Sequence, residues 1–270
     1  TLKGQVWFSA VTIVLTAFAA GVSAQDPYLV RKAQFYLQTS ASGAALHSTA
    51  PYVFAATGRT TGLTLNVPGG SAQSLPYDAG DDSYQVVVPY GSKAALDAAY
   101  PNGTYTITGS GQPTRTFSLT PDRYPTAAPE ITNGTWTNGV LVINPAQSYT
   151  FNLSNFTTYA SAGVAGHESV NIDTGTSNGF QQEIATQAIF GLTASATPLT
   201  SVTMPAGTLT TGNVYRLDLQ FDTLTTLDAG TGSVALFTNQ LEVWVAALAP
   251  GTTAMAAPII TAHPSNRTGS

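Results

Sequence analysis

The sequence predicts an all-β protein, arranged as two tandem antiparallel β-sandwich domains after a signal peptide. Three observations carry that prediction. Apolar and polar residues alternate over short runs rich in β-branched and aromatic side chains. Glycine and proline, 25 and 16 of the 270 residues, punctuate the chain between those runs. Only 9% of the residues are Asp, Glu, Lys or Arg, where a soluble domain carries about 25%.

The missing charge is replaced by Thr, Ser, Gly, Asn, Gln and Ala, and the hydrophobic fraction stays at 43%. Disorder needs low hydrophobicity with high net charge. Helical bundles need Glu/Lys/Arg-rich faces. Nucleic-acid binding needs basic stripes, and this chain has 9 basic residues against 14 acids. None of those classes fits.

The N-terminus reads as an export leader. Lys3 supplies a positive start, an apolar stretch runs over 6–20, and Gly21, Val22, Ser23 and Ala24 offer small residues for cleavage. Residues 1–24 are therefore expected to be removed, leaving no transmembrane segment in the mature chain. Without Lys3 the net charge moves from −5 to −6, which disfavours nucleic acid and anionic membranes as partners. The chain has no cysteine. A secreted chain without disulfides points to a bacterial source and to stability from hydrophobic cores alone.

The first domain is assigned to residues 25–122. Strands are expected at 33–37, 63–67, 84–88, 105–108 and 115–119, each closed by Gly, Pro or Ser. One short helix is expected after Ser92, stopped by Pro101. Residues 123–130 belong to a run, 121–130, that holds three prolines, and read as a stiff linker. The second domain, 131–250, is expected to hold strands at 139–143, 149–153, 169–172, 199–204, 215–221 and 241–245. In 215–221 the residues Tyr215, Leu217, Leu219 and Phe221 share one face, which predicts an antiparallel strand with its other face wet. Helix formers at 181–185 suggest a second short helix within 179–192. Residues 251–270 read as a linker or the start of a truncated further domain.

Few residues offer chemistry. Asp78, Asp81 and Asp82 surround Gly80, and closely spaced acids on a tight loop can hold a hard cation such as Ca2+. The spacing lacks the alternation and distal Glu of an EF-hand, so a solvated turn is the plainer reading. Trp136 sits in a polar, turn-like stretch, where an exposed indole would stack on a sugar ring. Trp244 lies in an apolar strand and is expected in the core. His167 lies near glycines and is expected to be exposed. With His47, His167 and His263 alone and no Gly-x-Ser-x-Gly elbow, a Ser-His-Asp triad has few possible members. A carboxylate pair of the glycosidase type needs only two acids, but nothing singles out a pair. The chain is expected not to be an enzyme.

Leu209 precedes Tyr215 by six residues, with Gly212 between them, and Tyr105 follows Pro101, Asn102 and Gly103 in a looser version. Leu209 to Tyr215 resembles the corner of fibronectin type III and related immunoglobulin-like modules, with Thr211 where a Pro is usual. The resemblance implies structural roles for Leu209, Tyr215 and Tyr105. Residues 257–270, opening with Pro258, Ile259, Ile260 and Pro264, are similar to the entry of a bacterial Ig-like repeat. The chain as a whole resembles the N-terminal region of bacterial secreted multidomain proteins. That implies a non-catalytic structural or adhesive module at the cell surface or outside it, meeting an extracellular glycan or protein surface. The alternative is a carbohydrate-binding module attached to a glycan-active enzyme.

Overall fold

The computed structural model describes residues 27–252 apart from 162, 175–178, 190 and 229. The expected leader and the C-terminal repeat-like segment lie outside the described residues. The protein is all-β: among the described residues the regular structure is strand, in several sheets, apart from one short helix.

The first half contains β1 (Leu29–Gln38), β2 (Ala44–Leu46), β3 (Tyr52–Gly58), β4 (Thr64–Asn66), β5 (Ala72–Ser74), β6 (Tyr77–Asp78) and β7 (Ser83–Tyr90). A short helix α1 (Lys93–Ala99) then leads to β8 (Thr104–Gly109) and β9 (Gln112–Ser118). Ser92 caps α1, its hydroxyl accepting from the Ala95 N–H at 3.2 Å. The second half contains β10 (Thr135–Thr137), β11 (Val140–Ile143), β12 (Tyr149–Asn152), β13 (Ala165–Asp173), β14 (Phe180–Ala185), β15 (Ser201–Met204), β16 (Val214–Asp228) and β17 (Ser233–Ala247).

One long sheet runs in the order β14-β13-β16-β17-β1-β3-β7-β6. Its partners in the second layer are two small sheets, β5-β4-β8-β9 and β12-β15. The first small sheet encloses a core of Val30, Phe54, Leu65, Tyr105, Ile107 and Phe117. The second encloses Phe151, Val202, Val170, Leu217, Phe221 and Val243. Phe237 of β17 belongs to the first core, while Leu241, Val243 and Val245 belong to the second. Side chains alternate along a strand, so both cores lie on the same face of the long sheet.

Hydrogen bonding crosses the division at 123–130. Strand β1 pairs with β17 in parallel from Leu29↔Val234 to Gln38↔Val243. The β16–β17 turn is held by the first half as well. Arg115 pairs with Asp228 at 3.2 Å, and the Ser118 N–H donates to Thr226 Oγ1 at 2.7 Å. The segment read as a stiff linker packs across the apolar face between the cores. Asn239 Nδ2 donates to the carbonyls of Pro125 and Ala127 at 2.8 and 2.9 Å. Tyr124 meets Phe237 edge-on at 5.0 Å between ring centroids. The carbonyls of this proline-rich segment satisfy the buried N–H2 of Asn239.

The second short helix expected within 179–192 is not formed over 180–185, which instead pair with β13 as β14, Glu183 opposite Ser169. Pairing with a ready strand overrides a weak local helix preference.

Candidate functional site

Each residue singled out in the sequence has a defined place. Tyr215 opens β16 just after the turn at 210–213. Its hydroxyl accepts from the Thr210 N–H at 2.9 Å and from Asn213 Nδ2 at 3.2 Å, while Leu209 and the ring join the second core. Burial pushes the phenol upward in pKa, but those donors outweigh it and leave it below the ordinary value. Tyr105 is fully buried in the first core and donates its hydroxyl to the Pro101 carbonyl at 2.6 Å. Both rings thus tie a turn to a core.

Trp136 lies on β10, opposite Leu141, half-buried against the second core, with its indole N–H buried and unpartnered. Gly134, at φ +101°, brings the chain so close that a Cβ would stand 2.4 Å from Leu141 Cδ1. The polar stretch that hinted at an exposed indole is a tight turn laying the ring on apolar neighbours. Trp244 is half-buried beside Val140 and Ala246. Among the described residues the exposed large aromatic is Tyr77, at 54% of its surface, tilted against Tyr84 at 5.2 Å.

Asp78, Asp81 and Asp82 split into two groups. Gln85 Nε2 donates to Asp78 Oδ2 at 3.0 Å and to Asp81 Oδ2 at 2.9 Å. Asp82, at φ +47°, turns away and accepts from the Tyr77 hydroxyl at 2.8 Å. Among the described residues no three His, Cys, Asp or Glu side chains converge as a metal-binding group.

The least expected feature is the second face of the long sheet. The sequence pattern assigns it to water. In the structure one end of it is an apolar cluster that includes Leu29, Ala55, Leu224, Val234 and Leu236, and the rest is a buried polar ladder across β13, β16 and β17. Its rungs are His167–Asp222–Thr238, Ser169–Gln220–Gln240 and Asn171–Asp218–Glu242. All of these residues are buried except Asn171, which is partly exposed.

His167 corrects the expectation of an exposed loop residue. It lies within β13, with Nδ1 2.9 Å from Asp222 Oδ2 and Nε2 3.6 Å from Glu183 Oε2. Thr238 donates to the other oxygen of Asp222 at 2.5 Å. Burial by itself lowers the imidazole pKa, but Asp222 and Glu183 outweigh it and raise it to about 9. The ring is therefore an imidazolium at neutral pH, clamped between two carboxylates. A general base needs a free nitrogen within reach of a nucleophile or substrate proton. Here the hydroxyl donates to the aspartate and not to the histidine, and the trio links β13, β16 and β17.

A second chain of polar contacts runs beside it. Arg31 of β1 donates to Gln240 Oε1 at 2.7 Å, and Gln240 Nε2 donates to Asp218 Oδ1 at 3.1 Å. Arg216 Nε closes on Asp218 Oδ2 at 3.0 Å. Burial raises the Glu242 carboxyl to about 7 against the pull of Arg216. On the opposite face, Glu168 is raised by burial to about 8 while its Oε2 accepts from the Leu199 N–H at 2.8 Å. Sequence reasoning missed these groups because a charged residue in an alternating strand is expected to face water. The available signal was the run of polar residues at every second position of 216–222 and 238–242.

Among the described residues no helix is long and apolar enough to cross a membrane. No family model matches the chain, and no curated protein matches it. Solved structures give a faint likeness. One is an Escherichia coli alpha-2-macroglobulin activated by porcine elastase, at 11% identity and a TM-score of 0.25, with 83% of this chain covering 20% of that one. Another is a Salmonella alpha-2-macroglobulin mutant, Y1175G, at 11% identity and a TM-score of 0.23, with 85% of this chain covering 15% of that one. The chain thus spans a fifth or less of the proteins it is similar to, and at this similarity the comparison assigns no family and no function.

Proposed function

We propose that this chain is a non-catalytic structural or adhesive module of a larger bacterial protein, exported through its leader and working at the cell surface or beyond it. The observation that carries the reading is the sheet shared by both halves. Strand β17 contributes side chains to both cores, and β1 zips to it across the division. Such a splice suits a rigid spacer or a presenting scaffold better than two beads on a string. The low charge supports an exterior wetted by hydroxyls and amides, and the absence of cysteine leaves the cores to hold the fold. The expected extracellular partner is a glycan or protein surface.

Deleting residues 27–252 from the producing cell's protein tests the adhesive reading. Loss of attachment to cells or matrix is expected, and unchanged attachment defeats it. Mature secreted protein whose N-terminal sequence starts at Gln25 is the expected export result; a retained leader contradicts it.

A carbohydrate-binding role is a second reading, favoured by the exposed Tyr77 ring held in place by Asp82. Retardation in gels containing soluble polysaccharide, lost in Tyr77→Ala and kept in Trp136→Phe, is its expected signature.

A further inference from the structure

We infer that the turn between β6 and β7 is a calcium site, formed by Asp78, Asp81, Gln85 and Ser83. This goes beyond the module's role and does not depend on it.

Two carboxylate oxygens, from Asp78 and Asp81, stand 3.0 and 2.9 Å from one point, which is occupied by the Gln85 amide nitrogen. No ion pair among the described residues reaches either carboxylate. A single neutral N–H2 donor therefore sits between two negative groups.

The neighbouring oxygens are a separate observation. Gln85 is 8% exposed and Ser83 1% exposed, and both Gln85 Oε1 and Ser83 Oγ are buried without a partner. Ser83 is the rung partner of Asp78, and Gln85 lies two residues further along β7, on the same face. Thr57, the rung partner of Gln85, adds another buried hydroxyl without a partner. Buried oxygens left unsatisfied cost free energy, and all of these lie on the carboxylate side of the sheet.

Half a turn of the Gln85 amide exchanges its N–H2 for Oε1, so that Oε1 stands beside both carboxylate oxygens and the three can share one cation. Only a cation makes that orientation favourable. Two carboxylates, an amide oxygen and a hydroxyl, completed by water, match the hard oxygen set of six to eight ligands that Ca2+ takes and Mg2+ accommodates poorly. Asp82 is not part of the set, because Tyr77 holds it on the other side.

The test uses the full chain with terbium as a luminescent calcium substitute, excited through the tyrosines at 77 and 84. Sensitised emission that calcium quenches by competition, and a melting temperature that calcium raises and a chelator restores, are expected. The isosteric pair Asp78→Asn/Asp81→Asn should lose both signals, and Asp228→Asn should keep them. Gln85→Glu supplies a third carboxylate and should enlarge the calcium-induced rise, with a lower melting temperature in chelator. Absence of emission in the wild-type chain, emission retained in the Asp78/Asp81 pair, a Gln85→Glu response no larger than wild type, or an equal response to magnesium would each overturn the assignment.

Discussion

The two faces of the long sheet are made by the same strands, and both are buried through the middle, yet different physics holds them. On one face Leu217, Leu219, Phe221, Leu241 and Val243 pack into a core. On the other, one residue along each strand, Asp218, Gln220, Asp222, Thr238 and Gln240 are equally shut away. Apolar burial is non-directional and tolerates reshaping. A buried polar row must be satisfied group by group, and removing one member strands the next. Alternation along a strand therefore decides which residues share a face, but not which face is dry.

The largest expected effect comes from breaking the polar face. Asp222→Leu takes from His167 and Thr238 the acceptor they share and is expected to cost about 3–5 kcal/mol in chemical denaturation. Adding His167→Leu, Thr238→Val and Glu183→Gln removes the stranded partners, the second carboxylate facing His167 included, and should recover most of the loss. A combined variant no better than the single one would mean that the group does not act together.

The next effect is pH. His167 has a folded pKa of about 9, above its ordinary value of 6.5. The folded state thus holds a proton that the unfolded state gives up. Its contribution is complete below about 6.5 and is lost as pH rises through about 9. Glu168, raised from 4.5 to about 8, and Glu242, raised from 4.5 to about 7, act in the same direction. Stability should therefore fall between pH 5 and pH 9, by on the order of 1.4 kcal/mol for every tenfold by which folding tightens the hold on one of these protons. Denaturation midpoints at the two ends measure it, and His167→Gln should flatten the upper part of the curve.

The apolar face should give less. Leu219→Met keeps volume and polarity and is expected to cost under about 1.5 kcal/mol, a small change beside Asp222→Leu three residues away. The smallest expected effect is at the corner. Tyr215→Phe removes one acceptor for the Thr210 N–H and is expected to cost about 1 kcal/mol.

The strands at 63–67, 84–88, 105–108 and 215–221 could be read from alternation and from the glycines and prolines between them, because those signals are local. The helix after Ser92 was legible for the same reason: its cap and stop lie within ten residues. What joins distant segments was not legible. Strand β1 pairs with β17 over some two hundred residues of chain, and nothing in either strand names the other. His167 was misplaced because the glycines around it read as loop, whereas Gly166 opens no loop at all. A Cβ there would meet the Tyr159 carbonyl at 2.0 Å. The three aspartates were legible as a cluster, but their division between Gln85 and Tyr77 depends on which side of β6 and β7 each side chain leaves.

Amide hydrogen exchange along β17 tests most directly the claim that one sheet carries both halves. Amides from Ser233 to Ala247 are expected to exchange through one common opening, with the same free energy at the Phe237 end in the first core as at the Val243 end in the second. Two separate openings, with the Phe237 end following the first half and the Val243 end following the second, would contradict it.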